Sequence, residues 1–385
     1  MNVKRLVQWT LVLCLALSAL AGVLFLSPAK DYMKAASLLI EMQNQQQSPW
    51  FVHAGGHAVQ EEMHAFDGSG GRIRYRIFRP VGVAHPPGLV LVHGVHHLGI
   101  EEPRQVRFAR AFAERGLLVM TPEIKDMTDY RILPSAIAVI GDSAHLLRDQ
   151  LGAPVGVMGL SFSGSLALMA AAEPRYAGDI RTVIALGAYD DLERVSRFLV
   201  TEQIELPDGS RQRHEAEQYG ALVLVYTYAK DFFTPQDLPA AHDALRLWLW
   251  EQYDAARLRE KDSSPPAQAR LEALFRHQMD VLQPELLASV ARHADEMQRV
   301  SPSGKLASLQ ARVFLLHGEE DDVIPSSEAH WLAHDLPAPQ LARLLITPAI
   351  GHVDPSTRLS WQSLWKVISF IAGIFRQLEA SQHAS

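Results

Sequence analysis

Residues Gly159-Leu160-Ser161-Phe162-Ser163-Gly164 follow the apolar run Val155 to Met158 and precede Ser165 to Ala172, a small-residue stretch that reads as a helix. This spacing presents Ser161 at a strand-to-helix turn. A turn that sharp holds the serine in a strained backbone conformation, so the positions two before it, and two and three after it, must be small. Gly159, Ser163 and Gly164 meet that demand. The strain lifts the hydroxyl above the sheet edge and leaves the N–H of Phe162 free to bind an oxyanion. The chemistry on offer is nucleophilic attack by Ser161. Ser163 is the alternative, with Ser161 and Ser165 as its less suitable neighbours.

Two further runs supply an acid and a histidine. Val313 to Leu316 leads into HGEEDDVIP at residues 317–325, and Leu341 to Ile346 leads to Gly351-His352. The chain order is serine, acid, histidine, unlike that of chymotrypsin-like or subtilisin-like enzymes. Each candidate follows an expected strand, and open α/β sheets gather functional groups at the carboxyl ends of their strands. In these features the chain resembles a serine hydrolase of the α/β-hydrolase superfamily, over roughly residues 57–187 and 307–378. That superfamily's motif H-G-x-x-D-x-V-x-P, laid over His317 to Pro325, implies Asp321 as the acid, with Asp322 the alternative. Its histidine follows a glycine after the last strand, which implies His352. The resemblance also implies an oxyanion hole, in which the N–H of Val95, from the loop ending LVLVHGVHH (89–97), faces that of Phe162. One departure is Ser163, where the pattern G-x-S-x-G has glycine.

His93, His96 and His97 also invite a zinc reading, but their spacing carries no firm zinc signature and no acidic partner accompanies them. His93 is expected to buttress the loop, and His96 or His97 to line the pocket mouth. His330 and His334 fall on an expected helix and read as surface residues. A net charge of −7 with no basic block argues against nucleic acid as a partner. The single cysteine, Cys14, lies in the N-terminal apolar segment, so the rest of the chain can form neither a disulfide nor a cysteine nucleophile. In that segment Lys4 and Arg5 precede the uncharged stretch Leu6 to Leu26. As a helix it would span about 32 Å, close to the roughly 30 Å hydrocarbon core of a bilayer. The first expectation is a membrane anchor with a cytoplasmic N-terminus and a periplasmic or extracellular catalytic domain. The alternative is a signal peptide cleaved near Ala19-Leu20-Ala21, which would leave a secreted protein.

With 385 residues, 48% of them hydrophobic, the chain exceeds one ordinary domain and can bury a sizeable core. After the N-terminal segment (1–28) and a linker helix and loop (29–56), residues 57–66 and 72–79 alternate around DGSGG and read as a hairpin. Strands at 89–93, 117–121, 155–159 and 180–187 then alternate with helices near 102–115, 134–150 and 162–173. That pattern predicts a three-layer α/β fold around a mainly parallel sheet. The alternation stops at Ala188 and resumes near Leu309, too wide a gap for a loop. Within it Leu245, Trp248, Leu249 and Tyr253 share one helical face, and Leu271, Leu274, Phe275 and Leu282 another. Residues 188–306 are therefore expected to be a helical cap, inserted between core segments 57–187 and 307–385. Residues 221–229 read as a helix within it. Trp248 and Trp250 are candidates to line the substrate pocket, with core packing as the competing role.

These features predict two-step acyl transfer to water on a small-molecule acyl substrate, a carboxylic ester first, by Ser161, His352 and Asp321, with no cofactor required. A compact peptidase or amidase, or a thioesterase, would use the same groups. A non-catalytic, membrane-tethered binding protein would keep the fold without the chemistry. The sequence does not set the oligomeric state.

Overall fold

The computed structural model describes residues 29–43, 56–276, 278, 281–349 and 360–382. Strands β1 (Val59–Gly68) and β2 (Gly71–Pro80) form the expected antiparallel hairpin around Ser69-Gly70. Gly71 closes the turn at φ +108°, a conformation that costs glycine nothing sterically. β2 pairs antiparallel with β4 (Leu118–Pro122), and β3 (Gly88–Val92), β5 (Val155–Leu160), β6 (Ile180–Leu186), β9 (Arg312–Gly318) and β10 (Leu341–Thr347) run parallel to β4. The spatial order is β1-β2-β4-β3-β5-β6-β9-β10. This mixed sheet, parallel but for β2, has the strand order of the α/β-hydrolase fold.

Side chains alternate along a strand, so a central strand must be apolar on both faces. Leu89 and Leu91 of β3 enter one apolar cluster, and Val90 and Val92 the other. All four are fully buried, and each contributes about 1.5–3 kcal/mol of hydrophobic stabilisation. Helices α1 (Ala29–Gln43), α2 (Pro103–Glu114) and α14 (Trp361–Gln382) cover the first face. Helices α4 (Pro134–Leu151), α5 (Phe162–Ala172) and α13 (Ser327–Asp335) cover the second. Gly156 of β5 lets α14 approach closely, because a Cβ there would stand 2.2 Å from Leu378 Cδ2.

The helix expected within the linker belongs to this core. Ala35 and Leu38 of α1 are buried, Tyr32 stacks on Trp365 at 5.3 Å, and Lys30 and Lys34 reach Glu379 at 2.6 and 2.9 Å. The buried Glu41 pairs with Arg115 at 2.7 Å.

The cap leaves the sheet after β6 and returns at β9. It contains α6 (Leu192–Thr201), a short hairpin of β7 (Gln203–Glu205) and β8 (Arg211–Arg213), then α7 (Gln218–Thr227), α8 (Leu238–Leu249), α9 (Tyr253–Glu260), α10 (Pro265–Phe275), α11 (Gln283–Arg292) and α12 (Ala294–Arg299). Leu245, Leu249, Leu271, Leu274, Phe275 and Leu282 fill a separate apolar cluster, as their spacing suggested. Tyr253, expected to share that face, is half exposed at the start of α9.

The expected membrane attachment is corrected. Among the described residues no helix is long and apolar enough to cross a membrane, and residues 1–28 lie outside them. α14 has 22 residues but carries Lys366, Arg376 and Glu379, and only one face of it packs on the sheet. Membrane anchoring and the periplasmic or extracellular placement drawn from it are withdrawn, and the cleavage site expected at Ala19-Leu20-Ala21 lies outside the described residues.

Candidate active site

β5 and α5 meet at Ser161, whose backbone stands at φ 57°, ψ −131°. This region is uncommon for a residue with a side chain and costs on the order of 1–3 kcal/mol. The neighbours hold it there. Ser161 N–H donates to Leu186 O at 2.7 Å, and Gly164 N–H donates to Ser161 O at 2.9 Å. A Cβ on Gly159 would stand 2.4 Å from Ser163 O and 2.5 Å from Gly164 N, so only glycine fits. Ser163 is fully buried; its hydroxyl accepts the Leu160 N–H at 2.8 Å and lies 2.9 Å from Leu160 O and 3.2 Å from Val92 O. Those bonds stitch the ends of β3 and β5 together and occupy the hydroxyl. Phe162 is the first residue of α5, where backbone N–H groups have no partner within the helix.

Val92 lies opposite Gly159 in the β3–β5 register, so the loops after these strands leave side by side. A Cβ on Gly94 would be 3.8 Å from Ser161 Cβ. His93, only 2% exposed, braces this loop: its Nδ1 lies 2.7 Å from Gly94 O, and its Nε2 accepts the Ile124 N–H at 3.1 Å. That pair of contacts sets the neutral tautomer with the proton on Nδ1. Burial also pushes the ring's pKa down to about 4, which keeps it neutral. Because Gly94 C=O and Val95 N–H belong to one planar peptide, holding the carbonyl orients the N–H as well. Beyond Val95, His96 stacks on His97 at 4.6 Å, and His97 stacks on Trp250 of the cap at 5.7 Å. Burial, then the neighbouring His97, lowers the pKa of His96. Among the described residues no group of three or more His, Cys, Asp or Glu side chains gathers as a metal site.

The acid loop follows β9. Asp321 Oδ1 accepts the N–H groups of Val323 at 3.1 Å and Ile324 at 2.9 Å, which folds the loop over its own carboxylate. Its Oδ2 lies 3.6 Å from Nε2 of His317, and a Cβ on Gly187 would be 3.4 Å from that oxygen and 4.0 Å from Ser161 Cα, so Asp321 and Ser161 border the same glycine. Gly187 itself sits at φ +62°, where a side chain would add strain. His317 is buried beneath the loop with Nε2 2.8 Å from Ile324 O, and burial lowers its pKa. Asp322 turns to the cap, where its carbonyl accepts the Glu217 N–H at 2.8 Å and its residue borders a cavity of about 310 Å³ with His214, Glu215 and Glu217. His352 lies outside the described residues. His330 and His334 are exposed on α13, as expected of surface residues.

Trp248 packs within the cap, stacked on Phe275 at 4.0 Å with Arg257 5.1 Å from its ring centroid, and is not brought to the elbow by these contacts. The cap root was only partly legible. Asp190 and Arg194, where the chain enters the cap, meet Glu328 of α13. Glu328 is fully buried; it accepts the Asp190 N–H at 2.9 Å and the Arg194 Nε at 2.6 Å. Its position as the second residue of a helix after a proline carried no signal of that role. On the return side, Tyr189 OH donates to Val300 O at 2.9 Å and Leu192 N–H to Ser301 Oγ at 2.9 Å. Entry and exit of the cap are thus tied to each other and to the core.

No protein-family model and no curated protein matches the sequence. The backbone is similar to those of several solved hydrolases. An esterase from Pyrobaculum calidifontis is 18% identical, with 91% of each chain covered and a TM-score of 0.45. 2,6-Dihydroxy-pseudo-oxynicotine hydrolase is 17% identical, over 83% of this chain and 66% of that one, with a TM-score of 0.42. 2-Hydroxy-6-oxo-6-phenylhexa-2,4-dienoate hydrolase from Rhodococcus sp. strain RHA1 is 15% identical, over 84% of this chain and all of that one, with a TM-score of 0.42. At such identities the likeness concerns the course of the backbone and not activity.

Proposed function

We propose that this protein is a serine hydrolase that cleaves carboxylic esters of small molecules through an acyl-enzyme intermediate. The observation that carries the reading is the Ser161 backbone, held at φ 57°, ψ −131° between β5 and α5. Strain of this kind persists only where surrounding contacts enforce it. In the proposed reaction Ser161 Oγ attacks the acyl carbon while His352 takes its proton, and the N–H groups of Val95 and Phe162 hold the oxyanion. Collapse of the tetrahedral intermediate breaks the ester C–O bond, and His352 returns the proton to the leaving alcohol. Water then attacks the acyl-enzyme by the same route and releases the acid. Asp321 is the proposed partner of His352, supported by the position of its carboxylate beside Gly187, the glycine that also borders Ser161. Membrane attachment has no part in this reading.

The test is labelling by a fluorophosphonate probe, with turnover of p-nitrophenyl esters measured beside it. Ser161→Ala is expected to abolish labelling and to lower turnover by at least about 10³-fold, whereas Ser163→Ala stays labelled. A folded wild type that resists the probe would overturn the proposal. Faster turnover of anilides or thioesters than of matched esters would move the substrate class to amides or thioesters.

A further inference from the structure

On the side of the cap away from its root, one core residue reaches into the cap's own apolar cluster: Tyr130, only 1% exposed. It follows the short helix α3 (Lys125–Thr128), where Arg131 N–H returns to Asp126 O at 2.8 Å and Tyr130 stands at φ 57°. A helix that ends this way normally places glycine at that position, so a buried aromatic side chain there is held against a steric penalty. The cap segment it meets ends in the same manner. Gln252 N–H bonds to Leu247 O at 2.9 Å and Glu251 stands at φ 59°. Two strained non-glycine residues thus flank a single contact, in which Tyr130 OH donates to Leu249 O at 2.7 Å. The same hydroxyl lies 3.4 Å from Nδ1 of His97, in the loop that carries Val95. His97 in turn stacks on Trp250, the residue after Leu249. A second tie between core and cap, Tyr226 OH to Asp129 Oδ1 at 2.6 Å, runs close by and does not involve that loop.

We infer that Tyr130 is a positioning residue whose hydroxyl couples the seating of the cap to the placement of the oxyanion loop, so that the Val95 N–H is aligned only while the cap is docked at Leu249. The inference rests on the hydrolase reading for its kinetic consequence, but its structural half stands without it. A loop braced by His93 at one end and by Tyr130 and Trp250 at the other has Val95 between two fixed points; release of the second lets the N–H drift from the developing charge.

The experiment compares Tyr130→Phe and Tyr226→Phe with the wild type by amide hydrogen exchange and by hydrolysis of p-nitrophenyl acetate. Tyr130→Phe keeps the ring and its packing and removes the bridge. It is expected to speed exchange in residues 93–98 together with 246–252 and to lower kcat about tenfold, with KM changed by less than about twofold. Tyr226→Phe is expected to speed exchange in the cap alone and to leave kcat within about twofold of the wild type. Unchanged exchange at 93–98 in Tyr130→Phe, or equal loosening of that loop in Tyr226→Phe, would overturn the coupling. A wild type with no esterase activity would sink the hydrolase reading and leave the exchange comparison to decide the coupling.

Discussion

At the level of single residues, the turn at Ser161 allows fit and the proposed chemistry to be probed separately. Gly159→Ala drives a methyl group into backbone atoms at 2.4 and 2.5 Å, which cannot swing aside as a side chain could. It is expected to cost roughly 1–3 kcal/mol in thermal or denaturant unfolding and to slow probe labelling. Ser163→Ala leaves the buried Leu160 N–H without its partner, and a loss of about 1–3 kcal/mol is expected while labelling persists. Asp190 makes stability depend on pH. Burial holds its carboxyl up to about 7 in the folded protein, with Arg194 pulling the other way. Between its ordinary value near 4 and about 7 the folded chain binds a proton that the unfolded chain has released. Its contribution to stability is therefore full below about pH 4 and is lost as the pH rises through about 7. Asp190→Asn is expected to flatten that decline in melting temperature, and an unchanged slope would show that Asp190 is not its source. His93 acts in the opposite sense. Pushed down to about 4, it contributes stability above about pH 6.5 that is lost as the pH falls through about 4.

At the level of elements, legibility followed the range of the interactions involved. The core strands were readable because burial on both faces demands unbroken apolar runs such as Leu89 to Val92, and the strand-to-helix turn at Ser161 because a close approach of backbones demands small residues at fixed positions. The β7–β8 hairpin carried a signal in Asp208-Gly209, a turn pair between short runs, but the runs are three residues long with Ile204 their one apolar side chain, too little for alternation to register. The docking of α1 had no local signature at all. Its partners Arg376 and Glu379 lie about 345 residues away in sequence, and no spacing rule reaches that far. The same holds for Glu328, whose contacts at the cap root come from 134 to 138 residues upstream. For α1 the structure makes a definite claim. Leu38→Ala removes a side chain only 2% exposed and is expected to destabilise the whole fold by about 2–5 kcal/mol in denaturant titration. If α1 were a tether laid on a finished domain, that titration would be unaffected.

Across the whole molecule, the apolar interior is divided. The cap cluster and the core cluster beneath it share Val95 as a packed neighbour and Tyr130 enters the cap cluster from the core, while the cap otherwise fills itself from its own residues. Such a unit is expected to open before the sheet does. Native-state hydrogen exchange at low denaturant should give α8 and α10 smaller opening free energies than β3 and β5, and equal values would mean that cap and core unfold as one. The clasp between α1 and α14 has a consequence for how the protein comes into being. Asp31 and Arg376 are 345 residues apart, and at roughly 5–20 residues per second the ribosome releases the second about 17 to 70 s after the first. For that interval Leu38, Leu89, Leu91 and Phe112 have no Phe370, Ile374 or Phe375 to meet. A nascent chain stalled short of Trp361 would leave that half-finished face uncovered, as a binding surface for chaperones or a seed for aggregation.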